Sequence, residues 1–267
     1  MRLRIPFARV PYMKGPSAEL KAALEAAAQA AVIARSLYQC NVEVRIKEDK
    51  TPVTDADVRC EIAIREILEA AFPAYGFYGE ETGTRDTGAE SVWLVDPIDG
   101  TKAFVREYPM FSTQIALMRS GEIVLGVSSA AVYGELASAE KGGGAFLNGQ
   151  RLGVSGVSTL ESAALSSGNL KSLAGGAQWM RYGQLVARVN RIRGYGDFLH
   201  YHLLAAGKID AVIESDVNIL DIAACLAIVT EAGGRFTDLT GAPVTLKTTS
   251  VLASNGKLHS RLLEALG

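Results

Sequence analysis

Asp96-Pro97-Ile98-Asp99-Gly100-Thr101 follows the apolar run Val92-Trp93-Leu94-Val95 and precedes Lys102-Ala103-Phe104-Val105. That order reads as a strand, a tight turn bearing carboxylates, and the start of a helix. Two carboxylates three residues apart can converge on one hard cation. Gly100 and Thr101 would present backbone N–H groups at a helix N-terminus, where a phosphate can sit. A capped turn, with the aspartates satisfying local N–H groups, fits the same six residues. The loop alone leaves both readings open, and the rest of the chain has to separate them.

Further carboxylates lie on either side. Gly79-Glu80-Glu81-Thr82 follows the aromatic stretch Tyr75-Gly76-Phe77-Tyr78, which places Glu80 at a strand end and leaves Glu81 to solvent. Leu220-Asp221-Ile222-Ala223-Ala224 opens an apolar helix that runs to Ala232 and stops at Gly233-Gly234. Asp221 reads either as the N-cap of that helix, the simpler assignment, or as a cation ligand. Upstream, Lys47-Glu48-Asp49-Lys50-Thr51-Pro52-Val53-Thr54-Asp55-Ala56-Asp57 is extended before Pro52. Thr54 or Asp55 can cap a helix over 56–71, with Asp57 in its first turn. Glu80, Asp96, Asp99 and Asp221 together form an oxygen-only set, which suits Mg²⁺ or Mn²⁺ rather than zinc.

In this order the pieces resemble the inositol monophosphatase superfamily. Its patterns Lys-x-Asp-x-Ser-Pro-Val-Thr-x-Ala-Asp, Gly-Glu-Glu, Asp-Pro-Ile-Asp-Gly-Thr and Trp-Asp-x-Ala-Ala correspond to Lys47–Asp57 (Thr51 in the serine position), Glu80, Asp96–Thr101 and Asp221. Gly142 through Gly149 and Glu231-Ala232-Gly233-Gly234 also look like family features, and the likeness covers roughly residues 17 to 265. Leu220 stands where the family usually has Trp, a departure that bears on substrate contacts more than on metal binding.

The resemblance implies an α/β (α+β) fold, a layered αβαβα sandwich with the site between two halves. It also implies a Mg²⁺-dependent phosphomonoester hydrolase. Asp96 would bridge two metals. Glu80 and the Ile98 carbonyl would complete the first site, Asp99 and Asp221 the second, and a weaker third Mg²⁺ would share Glu80. Thr101 and Asp57 would relay a proton from the attacking water, which Glu80 helps to orient, while the N–H groups of Gly100 and Thr101 hold phosphate oxygens. Li⁺ is expected to inhibit from the second site. The expected partner is a small phosphorylated metabolite, and the expected assembly a homodimer.

Substrate choice should lie in Arg191 to Phe198 and Asp210 to Glu214. Tyr195-Gly196-Asp197 resembles the histidinol-phosphate phosphatase branch, whereas inositol phosphatases more often carry a small uncharged residue at 197. Asp197 and Glu214 can pair with a substrate amine or imidazolium, where a polyol needs only hydrogen bonds. A helix N-cap is the equal competitor for Asp197. Inositol-1-phosphate is the alternative substrate. A regulatory protein binding the transcription machinery is the alternative of another class, although the intact carboxylates argue for catalysis. The three histidines, His200, His202 and His259, suggest no nucleophilic triad, and His200 and His202 read as packing or interface residues.

With 267 residues and 48% hydrophobic content, the chain can bury one large core or two closely packed halves. A net charge of −2 excludes a general nucleic-acid-binding surface. Cys40, Cys60 and Cys225 have no metal-site spacing and are expected as buried free thiols in the cytoplasm. No run reaches transmembrane length. Residues 1–15 are expected as a flexible arm, 16–155 as an α+β half with the metal motifs, and 156–267 as an α/β half with the recognition segment and last ligand.

Element by element, Ser17 should cap an Ala-rich helix ending near Gln39-Cys40. Apolar alternation at 111–118 and 122–129 around Ser120-Gly121 predicts a hairpin, and 133–139 and 144–147 extend the meander. Strand 163–167, helix 177–190, strand 191–195, helix 198–206, strand 210–214 and helix 221–232 then alternate.

Overall fold

The computed structural model describes residues 15–40, 44–46 and 52–267. The Lys47–Thr51 part of the first motif and almost all of the expected arm lie outside the described residues. Helix α1 (Ala18–Leu37) begins where Ser17 Oγ accepts the Leu20 N–H at 3.0 Å. Ala23, Ala26, Ala27, Ala30 and Ala34 are buried on one face. Small side chains at this spacing let helix α2 (Asp55–Ala71) come close. Cys60 of α2 reaches the Ala30 carbonyl at 3.5 Å. Ahead of α2, the short strands β1 (Val44–Ile46) and β2 (Pro52–Thr54) pair antiparallel.

The larger sheet contains β3 (Gly76–Gly79), β4 (Thr84–Arg85), β5 (Ser91–Asp99), β6 (Ser112–Arg119), β7 (Glu122–Ala130), β8 (Glu135–Glu140), β9 (Gly144–Leu147) and β10 (Gln150–Arg151). Its strand order is β10-β9-β8-β7-β6-β5-β3-β4, with only β3 and β5 parallel. The expected hairpin forms with Arg119 opposite Glu122. Ser120 and Gly121 take φ of +49° and +80°, the primed-turn geometry that matches strand twist. A short helix α3 (Thr101–Val105) bridges β5 to β6.

The second half supplies β11 (Ala164–Ser167), α4 (Lys171–Gly175), α5 (Trp179–Arg188), β12 (Arg191–Arg193), α6 (Asp197–Ala205), β13 (Ala211–Ser215), α7 (Ile219–Glu231), β14 (Arg235–Thr237), β15 (Ser250–Ser254) and α8 (His259–Leu266). Its sheet runs β12-β11-β13-β15-β14, parallel on the β12 side and antiparallel around β15.

Alternation along β5 sets the layers. Trp93 and Val95 join α1 and α2 in one core, while Val92 and Leu94 join α6 and α7 in another. That second core also takes in Val212, Val251 and Ala253 of the smaller sheet, so α6 and α7 lie between the two sheets. α5 and α8 cover the outer face of the smaller sheet. The result is the expected αβαβα sandwich. α7 is apolar all round because both of its sides are covered. Gly126 on β7 lets it approach, since a Cβ there would collide with the α7 backbone at Ala224.

Several elements depart from the sequence expectations. β5 does not end at Val95 but runs through the motif to Asp99, its register against β6 shifting between Asp96 and Asp99. α4, β14, β15 and α8 had no sequence counterpart. Cys40 is exposed, whereas Cys60 and Cys225 are buried free thiols as expected. No helix among the described residues is long and apolar enough to cross a membrane.

Candidate active site

Asp96 continues the period-two alternation of β5, so it faces the α7 side with Val92 and Leu94. The register shift that follows turns Asp99 toward the same point. Gly100 then takes φ +91°, and a Cβ there would lie 2.6 Å from the Met110 carbonyl. Only glycine suits that position. Across the sandwich, α7 delivers Asp221. Carboxylate oxygens of Asp96, Asp99 and Asp221 lie within 4.8 Å of one another. Such crowding of one buried and two half-buried carboxylates fits a hard cation.

The acidities report the same crowding. Burial, then the negative charges of Glu80, Asp99 and Asp221, push Asp96 well above the ordinary carboxylate range. Burial, then Asp197, Asp221 and Glu214, do the same to Asp99. Asp221 is pushed up to about 7, chiefly by burial and with contributions from Glu80 and Glu214. Ser112 Oγ lies 3.4 Å from Asp99 Oδ2 and accepts the Gln114 amide at 2.7 Å, which leaves the serine proton for the carboxylate.

Asp221 is not the N-cap of α7. Asn218 holds that position, its side chain accepting the Leu220 N–H at 2.7 Å, while Asp221 Oδ2 accepts the Asn218 N–H at 2.9 Å. This capping box fixes one Asp221 oxygen and so orients the carboxylate. Leu220, the departure from the family pattern, is buried in the core between the sheets.

α2 contributes from the opposite side. Thr54 is its N-cap, and Asp57 Oδ2 closes a capping box on Thr54 N at 2.8 Å and Thr54 Oγ1 at 2.6 Å. Asp57 Oδ1 is 3.1 Å from Thr101 Oγ1, which is also 3.0 Å from the Ile98 carbonyl. Burial raises the pKa of Asp57 above the ordinary carboxylate value, making it a better base. Glu80 follows β3, its N–H bonded to the Val95 carbonyl at 3.2 Å, one residue before Asp96.

Beside this cluster, Asp99, Asn169, Asp197, Tyr201, Glu214 and Asp221 are among the residues lining a cavity of about 160 Å³. Asp197 is not a helix cap. Gly196 is the N-cap residue and no side chain caps α6, while Asp197 itself sits at φ +45°. Burial and the Glu214 charge raise its pKa. Glu214, at the end of β13, accepts the Asn169 N–H at 3.1 Å and the Tyr201 hydroxyl at 2.9 Å. His200 Nε2 lies 3.2 Å from the same carboxylate. Burial pushes Glu214 up, but His200, the Asn169 N–H and Tyr201 outweigh it, leaving the carboxyl below its ordinary value. His200 is thus more than a packing residue. Its signal in the sequence was position: 197, 200 and 201 share one face of α6. His202 instead joins Glu135 at 2.7 Å and Ser128 at 2.9 Å within the core.

Comparison with known proteins agrees with this architecture. Residues 16–267 match the profile of the Inositol monophosphatase family. A histidinol-phosphatase of Mycobacterium tuberculosis is 41% identical over 231 residues, 85% of this chain and 88% of the relative. An inositol-1-monophosphatase of Rhizobium meliloti is 37% identical over 231 residues, covering 85% of this chain and 86% of the relative. Among solved structures, the extragenic suppressor protein suhB of Bartonella henselae superposes with a TM-score of 0.85 at 33% identity, over 94% of this chain and 98% of that one. The profile match begins just before α1 and ends at α8, so it encloses both sheets and every carboxylate placed above. By these criteria the chain belongs to the inositol monophosphatase family of phosphoric monoester hydrolases.

Proposed function

We propose that this protein is a Mg²⁺-dependent phosphatase whose substrate is histidinol phosphate. The observation that carries the substrate reading is the pair Asp197 and Glu214, which line the same cavity as Asp99 and Asp221. These two acids lie beyond the cation cluster, and Glu214 is held toward its charged form. A phosphorylated polyol gives them nothing to neutralise. A substrate with an amine and an imidazole does. The Mycobacterium tuberculosis relative supports the same choice.

Glu80, Asp96, Asp99, Asp221 and the Ile98 carbonyl are the groups that would hold the cations, with Mn²⁺ a possible substitute for Mg²⁺. When bound, such cations supply charge neutralisation for the phosphate and acidify water. The rest falls to the chain. Gly100 and Thr101 N–H groups hold phosphate oxygens, and Glu80 orients the attacking water. Thr101 Oγ1 accepts a proton from that water as it passes its own to Asp57 Oδ1. Water oxygen bonds to phosphorus, the ester P–O bond breaks, and the leaving oxygen takes its proton from a solvent water. Asp197 and Glu214 anchor the cationic end of the substrate, fixing the phosphate in place.

Phosphate release from histidinol phosphate, inositol-1-phosphate, fructose-1,6-bisphosphate and 3′-phosphoadenosine 5′-phosphate tests the reading. Histidinol phosphate should be preferred, activity should vanish with chelator, and Li⁺ should inhibit. Preference for inositol-1-phosphate would instead promote the activity named for the Rhizobium meliloti relative. A regulatory role would require a partner retained from lysate independently of Mg²⁺. A homodimer is expected and is read by light scattering.

A further inference from the structure

Glu61 is a fully buried carboxylate one helical turn after Asp57, on the same face of α2. Its partners are three donors from the loop that carries Glu80. Oε2 accepts the Glu81 N–H at 2.8 Å, and Oε1 accepts the Thr82 N–H at 2.5 Å and the Thr82 hydroxyl at 2.6 Å. Arg65, another turn along, donates Nη1 to Thr82 Oγ1 at 3.1 Å and to the Thr82 carbonyl at 3.3 Å. Behind the carboxylate, Gly79 leaves no room for a side chain, since a Cβ there would collide with Glu61 Oε1. Glu80 is therefore held on both sides: its own N–H is bonded to Val95 of β5, and the two residues after it are bonded to α2.

We propose that Glu61 is a positioning residue for the cation site, fixing the backbone of the Gly79–Thr82 loop so that the Glu80 carboxylate is presented beside Asp96. The inference rests on the reading of Glu80 as a cation ligand. The requirement is for a carboxylate. Three donors converge on it, and an amide would turn an N–H₂ toward at least one of them. α2 thus serves the site twice, holding Thr101 through Asp57 and Glu80 through Glu61.

The test is a Mn²⁺ titration of the whole protein, with free ion read by electron paramagnetic resonance and no substrate present. The result is then independent of which phosphomonoester is hydrolysed. Glu61→Gln should weaken Mn²⁺ binding about tenfold, the typical cost of losing a group that orients a ligand. Glu80→Gln should weaken it too, and the double variant should bind no worse than Glu80→Gln alone. Thr82→Val removes one donor and should shift affinity less, in the same direction. If Glu61→Gln does not fold, Thr82→Val in the wild-type and Glu80→Gln backgrounds is read the same way. Unchanged Mn²⁺ affinity in Glu61→Gln overturns the proposal, as do multiplicative losses in the double variant. Unchanged affinity in Glu80→Gln overturns it by removing Glu80 from the ligand set.

Discussion

Thr101 Oγ1 lies 3.1 Å from Asp57 Oδ1, joining the start of α3 to the first turn of α2 across 44 residues of sequence. The same hydroxyl is 3.0 Å from the Ile98 carbonyl, so its single proton has two acceptors. Thr101→Val keeps the shape and removes the hydroxyl. It should lower kcat about 10²-fold while KM changes little, the usual scale for a lost proton-transfer group. Steady-state kinetics at saturating Mg²⁺ check this, and an unchanged kcat would remove Thr101 from the relay.

Asp197→Asn should lower kcat/KM for histidinol phosphate by roughly 10- to 100-fold, the scale of one charge-assisted contact, and leave inositol-1-phosphate nearly unaffected. Asp197 caps no helix, and asparagine tolerates its φ of +45°, so Tm should hold. Equal losses on both substrates would defeat the histidinol reading.

Among the groups that make the stability of the metal-free protein depend on pH, Asp221 and His259 act in opposite directions. Asp221 stands at about 7 when folded and near the ordinary carboxylate value when unfolded. The folded state therefore binds more protons between those values, and this group makes stability fall as pH rises through that window. His259 is lowered to about 4, chiefly by burial, and Thr237 and Ser254 lie 3.0 and 2.9 Å from its ring nitrogens. Its contribution is present above the ordinary histidine range and lost as pH falls toward 4. The windows overlap, so the variants separate them. Asp221→Asn should flatten the decline of Tm between pH 5.5 and 7.5, and His259→Gln should flatten the loss below pH 6 (both ranges approximate). Mg²⁺ should raise Tm most at the alkaline end, where Asp221 is charged. A metal-free Tm that climbs with pH in the His259→Gln background would contradict the assignment.

Gly126→Ala should cost about 1–3 kcal/mol by overpacking against α7, and should weaken Mg²⁺ binding as well because the helix carries Asp221. Thermal melts with and without Mg²⁺ measure both. A loss of stability with unchanged Mg²⁺ response would show that α7 absorbs the strain without moving its first turn.

Much of this arrangement was legible because short-range rules govern it. The apolar run Val92–Val95 predicted a strand, and strand parity carries Asp96 to the α7 side. Ser17 and the Ser120-Gly121 turn follow from local backbone chemistry. Asn218 was also readable, since Asn-x-x-Asp before an apolar run is a capping-box pattern with Asn, not Asp221, at the N-cap. His200 against Glu214 and Glu61 against Thr82 were not legible in this way. Each joins residues on different elements, and nothing in spacing says which buried acid meets which loop. β15 was hidden for a related reason: Ser250–Ser254 is short, and only its pairing with β13 and β14 makes it a strand.

α7 touches both sheets, and that restricts how the enzyme can breathe. Many two-layer enzymes admit substrate by swinging one lobe away from the other about a hinge. Here the wall between the lobes is itself gripped on both sides by Val92, Leu94, Ala116 and Ala137 from one sheet and by Val212, Val251 and Ala253 from the other. Parting the lobes would open the single apolar core that α7 shares with both sheets. Such a core favours turnover on a closed frame, with substrate reaching the cations through the cavity that Asp99, Asp197 and Glu214 line.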